Sequence, residues 1–239
     1  MNQMLNTLDA PASRTLRDHA WTQLREALMS GRFPPGTKMT VRGLAGALGI
    51  SPTPVREAVA RLAAEGAIEA EPNRWMRVPP LSVAMLRELK EIRLALEGLA
   101  AYHAAIHLTD ADRAALRGAE AAIVRLRPRQ QPLEMIPAIR AFHFTVYAAA
   151  RMPALVRLIE GLWLRAAPAV NLLFPDYTRQ ERGLLRGNVL AALEARDPDA
   201  ARAAMQADIG QALDFLIAIA ARDEAGPPDV ATPVGRTRR

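Results

Sequence analysis

The residues best placed to do chemistry are polar side chains set into otherwise apolar helical stripes. Arg93 interrupts Leu86, Leu89, Leu96 and Ala100, and His143 interrupts Ile136, Ile139, Val146 and Ala150. Arg186 shares a face with Val189, Leu190 and Leu193, and Asp208 interrupts Ala201, Met205, Ala212 and Phe215. Each of the four should face inward, where an unpaired charge is costly. They must pair with one another, meet water, or meet a ligand, and convergence on one cavity would meet that requirement. A different chemistry is offered by Ser51, Thr53 and Arg56 in the segment SPTPVRE. Hydroxyls and a guanidinium at the start of a short helix are suited to phosphate oxygens and base edges.

Other chemistries are excluded or unsupported. The chain has no cysteine, so disulfides, Cys-ligated zinc, iron–sulfur clusters and a thiol nucleophile are ruled out. There is no Ser-His-Asp order with a nucleophile elbow, no phosphate-cradling glycine loop and no dinucleotide fingerprint, so no catalytic residues are assigned and an enzyme is not expected. His103 and His107 have the i,i+4 spacing that can hold zinc, but no HExxH glutamate accompanies them, which favours solvated or core-edge histidines. Thirty-one Lys+Arg against 25 Asp+Glu leave a formal charge of +6 over 239 residues. That excess admits a polyanionic partner without proving one. No apolar run approaches the ~18 residues that span a bilayer, and the start MNQMLNTLDAPASRT lacks a basic region followed by an apolar one. A cytoplasmic protein with no membrane partner is expected.

These side chains need elements to position them, and the chain divides in composition. Residues 14–80 mix short helical patterns with turn signals at Gly31, Pro34-Pro35-Gly36, Gly49, Gly66 and Pro79-Pro80, whereas residues 83–222 are rich in Ala, Leu and Arg with long 3.6-residue periodicity. Residues 1–13 read as a flexible start, and 223–239, with few large apolar side chains, as a disordered tail. In the N-terminal region, Leu16, Ala20, Leu24, Ala27 and Leu28 form one helical face that should stop at Gly31. A second helix is capped by Thr40 and stopped by Gly49. Ser51 caps a third, in which Pro52 and Pro54 occupy the first turn, where a missing N–H is tolerated. Val55, Ala58, Val59 and Leu62 form its buried stripe and turn Thr53 and Arg56 outward.

AIEAEPNRWMRV then alternates around Pro72-Asn73, as a hairpin of two short strands would. Helix, turn, helix and hairpin make a winged helix-turn-helix, whose third helix fits a DNA major groove. Alternatives stay open: a winged helix that binds protein, or a purely structural one. Arg56 has a surface salt-bridge reading, and Arg61 is expected to pack its stem or pair with Glu65 rather than read DNA. Trp75 is either a wing anchor in the minor groove or a hydrophobic plug between head and body. The body reads as an all-helical antiparallel bundle of about six helices near 83–107, 110–127, 132–150, 153–174, 178–196 and 198–222. The fold class is thus mainly α, with a small β-hairpin.

The segment TVRGLAGALGISPTPVREAVARLAAEG resembles the helix-turn-helix signature of GntR-family bacterial transcription regulators, above all in TPVREA, RL and EG. EIRLALEGLAA, AFHFTVYAAARMPALVRLI and ALEARDPDAARAAM resemble, in the expected order, the FCD-type helical ligand-binding domain of the FadR-like branch. The resemblance implies a homodimer that binds a palindromic DNA operator and is released or retuned by a small molecule. Carried over residue by residue, it implies DNA contacts from Arg42, Thr53 and Arg56, with Ser51, Asn73 and Arg74 as weaker candidates. Pro52 stands where the family often has Arg, and Trp75 where glycine is common, so the operator sequence is not transferable.

In many relatives one Asp and three His hold a divalent metal that in turn holds a carboxylate effector. Here the alignment leaves His143 alone of the four, with Ile139 at the Asp and Arg186 and Asp208 at the other two His positions. One imidazole and one carboxylate beside a guanidinium make a poor metal site, so no metal cofactor is expected. Direct recognition is the alternative: Arg186 and Arg93 bind an anionic, carboxylate-bearing effector, His143 adds a donor, and Asp208 orients an Arg or a ligand hydroxyl. A wholly internal Arg186–Asp208 pair with no ligand stays open beside it, as does a regulator blind to metabolites.

Overall fold

The computed structural model describes residues 11–71, 75–129, 131–174 and 185–225. The N-terminal turn signals dictate its first three helices. Helix α1 (Pro11–Met29) ends just before Gly31, whose φ of 72° lies in the left-handed region open to glycine. It starts at Pro11, so 11–13 are helical rather than part of a flexible start. Its buried stripe begins at Ala20, while Leu16, one turn earlier, stands 46% exposed, a correction to the expected face. Helix α2 (Val41–Leu48) is capped at one end by Thr40, whose hydroxyl accepts from the Gly43 amide at 3.0 Å, and at the other by Gly49 at φ 66°. Helix α3 (Pro52–Ala64) buries Val55, Ala58, Val59 and Leu62, the expected stripe, and packs on α1.

The wing has one strand more than its sequence pattern predicts. Strands β2 (Glu69–Glu71) and β3 (Trp75–Arg77) form the hairpin, and β1 (Lys38–Met39) pairs with β3 on its other side, giving the order β1-β3-β2. Both pairings are antiparallel, with Met39 and Ala70 each opposite Met76. A two-residue strand is too short to display alternation, so β1 leaves no periodic signal.

The body contains α4 (Val83–His107), α5 (Asp110–Leu126), α6 (Pro132–Ala149), α7 (Pro153–Val170), α8 (Leu185–Glu194) and α9 (Pro198–Ala225). These are the six expected helices. Part of the span 178–196 falls outside the described residues, as does 226–239 of the expected tail, while 223–225 are helical. Start signals act as their chemistry requires: Thr109 and Asp112 form a reciprocal capping box at α5, and Asp197 accepts from the Ala200 amide at 3.0 Å at α9. α9 packs along α4 more extensively than any other described pair of helices. By length and composition alone, α9 could cross a membrane, which corrects the expectation that no run approaches that length. Its apolar character comes largely from alanines, and it carries Asp208 buried at its centre.

Candidate DNA-binding face and candidate effector cavity

The outward face of α3 is built by its prolines as much as by its polar residues. Ser51 has extended N-cap backbone, yet its side chain makes no capping hydrogen bond, a correction to its expected role. An N-cap hydroxyl accepts from the second or third helical N–H; Pro54 at the third position has none, which leaves the Thr53 amide as its one candidate donor. The Ser51 hydroxyl is exposed, as are Arg42 on α2 and Thr53 and Arg56 on α3. Among the described residues neither Arg42 nor Arg56 has an ion-pair partner. Their neighbours differ: Arg61 pairs with Glu65 at 3.3 Å and lies 3.7 Å over the Trp21 ring, and Glu57 pairs with Arg17 at 3.4 Å. The expected Arg61–Glu65 pair therefore forms, and the salt-bridge reading of Arg56 finds no partner among the described residues. Trp75 is 46% exposed beside Arg77 at 5.2 Å, not buried as a plug. Asn73 and Arg74 lie outside the described residues.

In the body, the four stripe-interrupting residues meet. Arg93, His143, Arg186 and Asp208 are all buried and line one cavity between α4, α6, α7, α8 and α9, together with Trp163 and apolar side chains that include Ile139, Val170 and Leu173. Its space, about 660 Å³, includes open solvent at the mouth and is therefore an upper bound on the room inside. Asp208 is the hub. Its Oδ2 lies 3.1 Å from His143 Nε2, and its Oδ1 lies 3.5 Å from Arg186 Nη1, close enough for charge attraction but not a formed hydrogen bond. Burial alone would raise the Asp208 pKa. Arg186 and His143 outweigh it and hold the carboxyl below its ordinary value.

Arg93 has a partner that the stripe argument missed. Its Nε donates to Glu97 Oε1 at 2.5 Å and its Nη2 approaches Oε2 at 3.4 Å, while Trp163 Nε1 and the Tyr147 hydroxyl bond the same Oε2, the former at 3.3 Å. Glu97 is fully buried. Burial opposes the Arg93 charge, but Glu97 more than restores it. Tyr147 is pushed well above the phenol range by burial and by Glu97, so it serves as a neutral donor, and its oxygen also lies 3.1 Å from His143 Nδ1. The signal for both partners was present as spacing, because Glu97 and Tyr147 stand four residues beyond Arg93 and His143 on the same helical faces. Glu120 on α5 was also missed. Its Oε2 is buried without a hydrogen bond among the described residues, and burial raises its pKa.

This donor set does not suit a divalent metal. His143 and Asp208 bond each other, and a guanidinium stands beside them where further ligands would be needed. Among the described residues no group of three His, Cys, Asp or Glu is arranged to hold one. His103 and His107 stack at 6.3 Å with no third ligand in such a group.

Comparison with known proteins agrees with both halves. Residues 16–78 match the bacterial regulatory proteins of the gntR family, and residues 88–211 match the FCD domain. The chain is 32% identical to the HTH-type transcriptional regulator McbR of Escherichia coli over 185 residues, covering 75% of this chain and 82% of that protein. It is 30% identical to a probable D-xylose utilization operon transcriptional repressor of Paenarthrobacter nicotinovorans, covering 83% of this chain and 89% of the relative. The solved structure of E. coli McbR/YncC superposes with a TM-score of 0.78 at 29% identity, covering 85% of this chain and 98% of that one. The chain belongs to the GntR family of bacterial transcription regulators, with an FCD domain as its helical body.

Proposed function

We propose that the protein is a ligand-responsive regulator that binds a palindromic operator as a homodimer and senses a small anionic metabolite in its body, in the cytoplasm and without a metal. Arg42, Thr53, Arg56 and Ser51 supply the DNA contacts from α2 and α3, with Asn73 and Arg74, outside the described residues, as the weaker candidates. In the body Arg186 receives the carboxylate, His143 and Asp208 orient the ligand's polar groups, and Arg93, braced by Glu97, adds positive potential. The supporting observation is the pairing of an exposed Arg56 in the head, with no ion-pair partner among the described residues, with a charged cavity in the body. Effector binding then shifts the spacing of the two heads relative to the operator half-sites, a coupling of about 1–3 kcal/mol in such systems.

A second reading is favoured by one feature of the same cavity. Its charges compensate one another, Arg93 with Glu97 and Arg186 with Asp208, as they would in a ligand-blind DNA-binding regulator. Sequencing the DNA fragments that the purified protein retains supplies the operator. Isothermal titration with carboxylates, sugar acids and acyl-CoA esters, and with D-xylose because one relative is named for it, then separates the two readings. Heat from an anion that is lost in Arg186→Ala supports the proposal, and silence from every probe supports the second reading. Tight zinc in metal analysis of the purified protein would overturn the metal-free assignment.

A further inference from the structure

Two elements border both the cavity and the DNA-binding head, and on each the residues facing one alternate with residues touching the other. On α6, Ile139 lines the cavity, Ile136 lies against Gly31, and Arg140 donates to Glu26 at 2.7 Å. At the end of α7 the chain tightens into a 3₁₀ turn, Asn171–Leu173, flanked by Val170 and Phe174. Val170, Leu173 and Phe174 line the cavity. With three residues per turn, positions 170 and 173 share a face and position 171 points away from it. Asn171 there donates its Nδ2 to the carbonyl of Gly31, just past the end of α1.

The contact is close and specific. A Cβ on Gly31 would lie 2.8 Å from Ile136 Cδ1 and 2.9 Å from Asn171 Nδ2, so a side chain there would displace the ends of both, and the positive φ itself favours glycine. The flanking ion pairs Arg25–Glu160 at 3.2 Å and Glu26–Arg140 at 2.7 Å are part-solvated, and such pairs contribute little. Pro168 inside the last turn of α7 has no N–H to give to the carbonyl four residues earlier, so the helix end that leads into the 3₁₀ turn is held by one backbone bond fewer. On the head side, α1 packs on α3, which carries Thr53 and Arg56.

We infer that Asn171 is the positioning residue through which occupancy of the cavity sets the placement of α3: its hydrogen bond to Gly31 ties the cavity-lining 3₁₀ turn to the end of α1. The inference rests on the reading of the cavity as the effector site and assigns that site its route to the DNA-binding face. A ligand that presses on Val170, Leu173 and Phe174 moves the turn, and the turn moves α1 through one bond.

The test uses the full chain and a filled cavity instead of an unidentified effector. Ala212→Phe places a ring in the cavity, with Ala166→Leu as the alternative if the first variant does not fold, and Trp163 emission verifies the filling. Hydrogen–deuterium exchange is then read at the Gly31 and Arg32 amides, both hydrogen-bonded within the last turn of α1. Filling should change their exchange roughly tenfold with Asn171 intact and less than about twofold in Asn171→Ala or Asn171→Asp, neither of which can donate to Gly31. An equal response in all three backgrounds, or none in any, overturns the inference. Operator affinity by anisotropy separates it from the reading beneath it. If filling shifts affinity equally with and without Asn171, the route falls and the sensory cavity stands. If exchange is coupled through Asn171 while operator affinity never moves, the route stands and the sensory reading falls.

Discussion

Arg56 on α3 and Arg93 on α4 are the same side chain in opposite circumstances. Arg56 is exposed with no ion-pair partner among the described residues, whereas Arg93 is buried and held by Glu97, with Trp163 4.9 Å beneath its guanidinium. The head displays positive charge that its own fold leaves unspent, and the body spends its charges on one another. An exposed cation costs little to maintain and is available to an external anion, while a buried one must be answered by the fold first. Recognition should therefore be separable from stability in the head and inseparable from it in the body.

The largest test of that contrast removes the answering group. Glu97→Ala strands Arg93 and leaves Tyr147 and Trp163 without an acceptor, and it should cost about 3–5 kcal/mol in urea unfolding. Replacing Arg93 and Glu97 together with Met and Leu should recover most of that loss, because a buried pair is often no better than apolar packing. If the single variant costs under about 1 kcal/mol, the two regions do not differ as argued. In the head, Arg56→Ala should weaken operator binding by about 1–3 kcal/mol if the side chain reads a base, and change stability by less than about 0.5 kcal/mol. Equal losses on operator and random DNA would make it a phosphate contact.

Acid should distinguish two carboxylates of the body by sign. The Asp208 pKa is depressed, so its contribution is complete above the ordinary Asp value of about 3.9 and disappears as pH falls through the lower folded value. Asp208→Asn should flatten the acid limb of stability against pH there. Glu120 is shifted the other way, by burial and the nearby Asp208 against the pull of Arg186 and His143. Its ionisation subtracts stability as pH rises from the ordinary Glu value through the raised one. Glu120→Gln should therefore raise the urea midpoint at pH 7, a gain in unfolding free energy of under about 1 kcal/mol, and do nothing once both states are protonated. A lower midpoint at pH 7 would mean that the carboxylate has a favourable role.

Much of this was legible in the sequence where one residue type carries one physical consequence. Gly31 and Gly49 stop helices because they accept positive φ, and Pro52 starts one. Arg93, His143, Arg186 and Asp208 are buried where the stripe phase places them. What escaped depends on partners brought by tertiary contact or on elements too short for a period. β1 is two residues long, and it exists because β3 offers it a ladder. Glu97 and Tyr147 were on the right faces, but a Glu or a Tyr on a helix is unremarkable until its partner is known to be buried. Asn171 gives no signal at all, since nothing in NLLF announces that Gly31, 140 residues earlier, lies against it.

The smallest effect sharpens the comparison inside the head itself, between two N-caps that look alike in sequence. Thr40 accepts from Gly43 and closes the start of α2, so Thr40→Ala should cost about 1 kcal/mol of stability. Ser51 stands in the same position before α3 but makes no side-chain capping bond to lose, Pro54 having removed one of its two candidate donors. Ser51→Ala should therefore cost no more than a few tenths of a kcal/mol, and a full capping penalty would show that the hydroxyl serves the helix after all. If Ser51→Ala leaves stability intact yet weakens operator binding, the two prolines that open α3 have released a hydroxyl from structural duty to DNA.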